Sequence, residues 1–156
     1  MKETFKYIIQ ARQVFIELID SLSVDELNHI PDGFNNNIIW NFGHIIVSTQ
    51  GLCYTRTGVN PDYVIKYGPA YAKGSKPTYF VSQKEIEDLK ALAIRTIEQI
   101  EKDYYAGTFK EITPFSTSTY KEVMPTIEDV IITSVGHDNL HLGYAIAQRR
   151  IIKSSV

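Results

Sequence analysis

The chain has 156 residues, 44% of them hydrophobic and 22% charged, with a net charge of −2. That is enough apolar material for one domain over 1–156 with a core of its own, and the charge argues against a nucleic-acid partner, which needs a clustered basic surface. The single cysteine, Cys53, excludes an intrachain disulfide; no apolar run is long enough for a membrane span, and MKETFKYIIQARQ holds no signal-peptide core, so a soluble, cytoplasmic protein is expected.

Four segments carry helical periodicity. Over roughly 2–22, Phe5, Ile8, Ile9, Arg12, Phe15, Ile16, Ile19 and Leu22 recur at i, i+3 and i+4. Ser23 followed by Glu26 predicts a capping box and a short helical turn, broken by Pro31, Asp32 and Gly33. A second helix is predicted over 36–57, with Asn35 or Asn36 as N-cap and Gly58 as its stop. Its apolar residues wrap most of the circumference, so it should be buried. In the third, 83–104, Ser82 and Glu85 again form a capping-box pattern, and Ile86, Leu89, Ala93, Ile97, Ile100 and Tyr104 make an apolar stripe. The fourth spans 126–152, with Thr126 as N-cap, Glu128 and Asp129 in its first turn, and Arg149 and Arg150 in its last.

Four long helices without an alternating strand pattern predict an all-α fold, a four-helix bundle. The connections 58–81 and 105–125 are long for such a bundle, and long loops often carry function. The first holds Tyr63, Tyr67, Tyr71 and Tyr79, whose rings either cover a pocket mouth or pack the loop onto the bundle.

The chemistry concentrates in histidines. His137 and His141 are four residues apart, on one face of a helix, and share a stripe with Val130, Ser134, Ala145, Gln148 and Ile152. His44 shares a stripe of the second helix with Trp40, Val47 and Gly51. Gly51 in a helix interior costs about 1 kcal/mol relative to Ala, which a close approach at that point would justify. Three inward imidazoles on facing helices would form a three-nitrogen site with open coordination positions, the arrangement of a catalytic metal. The alternative for each is a core histidine satisfied by a hydrogen bond. His29 lies on no such stripe and is expected at the surface. The chain holds no H-E-x-x-H, no di-iron E-x-x-H, no phosphate loop and no G-x-S-x-G.

WNFGH in the second segment and HDNLHLGYAIAQRR in the fourth, with NNIIW and TPFS…PT leading into them, resemble the DinB/YfiT-like superfamily of metal-dependent enzymes over nearly the whole chain. The resemblance implies a four-helix bundle with a long connection. By position it implies His44, His137 and His141 as ligands of a divalent transition metal, zinc or nickel. It also implies a low-molecular-weight thiol, a small-molecule substrate and a transferase or isomerase activity, with a hydrolase as second choice. A homodimer is implied too, and apolar residues covering much of the first two helices suit one. No side chain is assigned as catalytic, since a water or thiolate held by the metal would act. Where the family commonly reads Arg-Gly-Gln after the last histidine, this chain reads Leu142, Gly143, Tyr144. Substrate choice is therefore not carried over. The rival reading is a non-catalytic metal-binding or stress-related interaction protein.

Trp40, Asn41 and Tyr144 are the candidate pocket residues. Trp40 precedes His44 by one turn and suits a pocket wall. Asn41 could orient the His44 ring or face the pocket. A cleft walled by Trp40 and one of the long connections is expected. Asp138 is turned about 100° from His137 and is expected to bond elsewhere or lie at an interface, while Asn139 should face solvent. Cys53 reads as a plain buried residue.

Overall fold

The computed structural model describes residues 1–154. It is all-α apart from one small hairpin. Helix α1 (Lys2–Asp20) is followed by the short α2 (Val24–Asn28), α3 (Ile38–Gln50), the one-turn α4 (Gly68–Tyr71), α5 (Gln83–Tyr105) and α6 (Ile127–Ser154). Phe115–Ser116 (β1) and Val123–Met124 (β2) pair antiparallel in the second long connection, with Phe115 opposite Met124. The neighbouring pairs among the long helices are α1 with α6, α6 with α3, α3 with α5, and α5 with α1. That closes a four-helix bundle.

The expected caps mostly form. Ser23 and Glu26 make the full capping box at α2. Ser82 caps α5 by accepting from the Glu85 amide at 3.3 Å, but the Glu85 carboxylate instead accepts from the Tyr71 and Tyr79 hydroxyls. Thr126 and Asp129 cap the start of α6 reciprocally. That helix runs past Arg149 and Arg150, so Lys153 is the basic residue of its last turn.

The second predicted helix differs at both ends. Its N-cap is Asn37, whose Oδ1 accepts from the Trp40 amide at 2.9 Å. Asn36 is instead engaged by the amides of Asn41 and Gln148. At the other end the α-helix gives way at Gly51 to a π-helical turn, Gly51–Arg56. There the Thr57 hydroxyl sits 2.7 Å from the Cys53 carbonyl, and Gly58, at φ +74°, stops the helix. Gly51 is not the close approach its position suggested. A Cβ there would meet only the Ile65 side chain, at an ordinary 3.6 Å. The close approach is Gly43, where a Cβ would lie 2.4 Å from the Tyr71 ring.

Every residue of α3 except Ser48 is buried, as its all-round apolar sequence requires. One core cluster gathers Phe15, Ile38, Phe42, Leu89 and Ala145, and a second gathers Phe5, Cys53, Ile97, Phe109 and Val130. Each fully buried Phe or Ile is worth roughly 1.5–3 kcal/mol. Cys53 is fully buried, and desolvation pushes its thiol up to about 12. It is the inert core residue the sequence suggested.

Candidate metal centre

α3 and α6 are neighbours, so the face of α3 bearing His44 meets the face of α6 bearing His137 and His141. The three ring centroids are 5.2 Å (His44–His137), 4.7 Å (His44–His141) and 4.6 Å (His137–His141) apart. One ligating nitrogen from each lies within 4.8 Å of the others, and the group could hold a metal ion. No carboxylate or thiol joins it among the described residues.

Two of the rings are held by hydrogen bonds that decide which nitrogen is free. His44 Nδ1 stands 2.7 Å from the backbone carbonyl of Tyr71. A carbonyl only accepts, so Nδ1 carries the proton and Nε2 keeps a lone pair. The Ser48 hydroxyl, 3.2 Å from that Nε2, is placed to donate to it. His141 Nδ1 is 2.8 Å from Asn41 Oδ1. The Asn41 amide cannot be reversed, because its nitrogen donates to the Asn37 carbonyl at 2.9 Å. His141 therefore also presents Nε2. Asn41 thus orients a ring, but that of His141 across the helix interface rather than that of His44 on its own helix. His137 Nδ1 is buried without a hydrogen-bond partner. A buried ring nitrogen left unpaired is costly, and a metal bound at that nitrogen would satisfy it. The donor set and this orphaned nitrogen both fit a divalent transition metal.

All three imidazoles are held neutral. Desolvation is the main cause in each case. It lowers His44, against the Tyr71 carbonyl, with the Lys73 charge adding to it. His137 falls to about 4, helped by His44 and Arg12. His141 falls to about 3, helped by the other two rings. At neutral pH the lone pairs a metal requires are therefore available.

Trp40 is buried and stacks on His44 at 4.7 Å with the planes 10° apart, its indole N–H donating to Ser75 Oγ. The recess that Trp40 borders with the 58–81 connection has a volume of only about 10 Å³, and none of the three histidines lines it. An open groove of about 450 Å³, lined by Tyr104, Phe109, Lys110 and Glu128 among others, lies at the start of α6. It is about 13 Å along that helix from His137, at 1.5 Å per residue. Tyr144 is half-exposed, 6.5 Å from the His141 ring and edge-on to Phe34.

The two long connections come together near the site. The Lys73 ammonium donates to Ser118 Oγ at 2.7 Å, and the Tyr120 hydroxyl donates to the Thr133 carbonyl, occupying the space a Cβ at Gly136 would need. The tyrosines of 58–81 pack the loop onto the bundle: Tyr63 stacks on Tyr54, while Tyr67 and Tyr71 bond to Asp88 and Glu85 of α5. Tyr71 reaches the site through its backbone. His29 and Asn139 are exposed, as expected.

Asp138 does bond elsewhere. It is buried and accepts from Arg12 Nε at 2.8 Å. Arg12, Tyr71 and Gly43 are the site-supporting residues the sequence reading passed over. The visible signal for Arg12 was a charged residue inside the apolar stripe of the first helix. Among curated proteins none matches the chain. The family model described as the DinB superfamily matches residues 7–145, most of the chain and all three histidines, and the protein belongs to that superfamily.

Proposed function

We propose that the protein is a metal-dependent enzyme in which His44, His137 and His141 bind one divalent transition ion, zinc or nickel, and that it transfers a low-molecular-weight thiol to a small electrophilic substrate. The observation that carries this reading is the donor set: three neutral imidazole nitrogens and no anionic ligand. When bound, such an ion supplies undiminished positive charge that lowers the pKa of a thiol or a water beside it. Tyr71 and Asn41 hold two rings with Nε2 turned to the cluster. Trp40 walls one side and keeps water from the His44 ring. Substrate would approach beside Tyr144, since His137 and His141 are only partly buried whereas His44 is buried. The same donor set serves hydrolysis, which ranks second. A homodimer belongs to the same proposal. Buried α3 cannot supply its face; the exposed Ile132 and Leu140 of α6 could.

No carboxylate or thiol belongs to the cluster among the described residues. That favours, as a second reading, a metal site without acid–base catalysis. The test is a transfer assay. Metal-free protein, reloaded separately with zinc or nickel, is given cysteine or glutathione and an activated halide, and thiol loss is followed. Metal-dependent turnover that disappears in His141→Ala supports the enzyme. Stoichiometric metal binding with no thiol transfer and no hydrolysis supports the second reading.

A further inference from the structure

Arg12 is fully buried at the centre of the bundle, on a helix that carries no histidine. Its guanidinium has five N–H donors and makes five hydrogen bonds. Nε donates to Asp138 Oδ2 on α6 at 2.8 Å. Nη1 donates to the Ala93 carbonyl and Thr96 Oγ1 on α5, at 2.9 and 3.3 Å. Nη2 donates to the Ile45 carbonyl and Thr49 Oγ1 on α3, at 3.2 and 2.8 Å. One side chain thus ties α1 to the other three long helices. Two of its acceptors have a particular address. Ile45 follows His44 in the chain, and Asp138 follows His137.

We propose that the Arg12–Asp138 pair positions the histidine cluster, fixing the rotation and register of α3 against α6 so that the three rings meet. The inference rests on the metal-site reading above for its purpose, but its geometry is independent of any metal. A role in stability alone explains the pair poorly. Buried ion pairs are often no better than apolar residues of similar volume, and this one leaves Asp138 Oδ1 buried without a partner. A planar fork has what an apolar replacement lacks, which is a fixed direction toward each acceptor. Arg12 touches none of the rings through a hydrogen bond, so it is a positioning residue rather than a ligand.

The test compares full-length wild type with Arg12→Met/Asp138→Leu, which removes both charges together and leaves neither uncompensated. The first readout is the metal-free protein. The His141–Asn41 hydrogen bond crosses from α6 to α3, so the nitrogen-15 spectrum of His141 reports their register. Wild type should show one tautomer, protonated at Nδ1, and the double variant a mixture. The second readout is calorimetric binding of zinc, which should weaken at least tenfold while the thermal midpoint stays close to that of wild type. A folded double variant with a single His141 tautomer and unchanged zinc binding would overturn the proposal. If the double variant does not fold, Thr49→Val carries the test. It is nearly isosteric and removes one grip on α3. Zinc binding two- to fivefold weaker, with a broadened His141 signal, supports the proposal, and wild-type values for both overturn it. Should wild type bind no zinc, the metal reading fails, and the tautomer comparison alone still decides whether Arg12 sets the register.

Discussion

Two buried polar groups lie side by side in this bundle, and they are finished differently. Around Arg12 every N–H has an acceptor and the charge faces Asp138, whose second oxygen alone goes without a partner. Around His137 the rings are neutral, its own Nδ1 has no partner, and the Nδ1 bonds of His44 and His141 leave Nε2 of each as the acceptor nitrogen, the Ser48 hydroxyl lying beside that of His44. A satisfied network holds helices together. Three neutral rings that leave a nitrogen unpaired could hold a metal ion. The first set should therefore matter to the metal-free fold, and the second only to the loaded protein.

Removing one partner of the ion pair gives the largest expected effect. Asp138→Ala leaves the Arg12 charge buried and unmatched, and should destabilise the metal-free protein by about 3–5 kcal/mol. His137→Ala should cost far less, because it deletes a nitrogen that is already unsatisfied. Urea unfolding of both metal-free variants checks the contrast. Equal losses would erase the distinction between the two sets.

Next in size is the response to metal. Zinc at a hundredfold excess over its Kd should stabilise wild type by about 2.7 kcal/mol. His44→Ala or His141→Ala should lose most of that gain. Thermal melts with and without zinc measure it.

Gly43→Ala should cost about 1–3 kcal/mol by overpacking, although alanine is the better helix former by about 1 kcal/mol. The new Cβ would fall 2.4 Å from the ring of buried Tyr71, so the ring must shift. Its carbonyl holds His44, so zinc binding should weaken as well. Denaturant unfolding and calorimetry on this one variant link the packing of α4 to the cluster.

Acidification gives a further effect, confined to pH below about 6.5. His137 and His141 fall from an ordinary 6.5 to about 4 and about 3. Between those values and 6.5 the unfolded chain binds more protons than the folded one. The stability tied to keeping these rings neutral is therefore fully present above about 6.5. It is lost as pH falls from 6.5 toward 3. Metal-free melts across that range should slope downward on acidification, with a shallower slope in His137→Ala/His141→Ala.

The histidine pair was legible because i and i+4 on a helix is a local relation, and His44 because its helix was apolar all round. The third dimension was not legible. Arg12 and Asp138 are 126 positions apart, and no periodicity joins them, although Arg12 stood out as a charge in an apolar stripe and Asp138 as a residue turned away from its neighbouring histidine. The support for His44 comes from a backbone carbonyl, which every residue owns and no motif can announce. Among Asn35, Asn36 and Asn37 any could have capped α3. The choice of Asn37 follows from where Trp40 and Gln148 pack, which is tertiary. Gly51 and Gly43 were equally helical glycines in sequence, and only the course of the 58–81 connection puts Tyr71 over the second.

The central claim is that His44, His137 and His141 meet on one ion. X-ray absorption of protein loaded with a single equivalent of zinc tests it most directly, read beside the metal content of His44→Ala, His137→Ala and His141→Ala. The account predicts one ion per chain, imidazole nitrogens at about 2.0–2.1 Å, and loss of tight binding in each variant. Zinc retained at full stoichiometry by all three variants, or a shell of sulfur or carboxylate donors supplied by the protein, would contradict it.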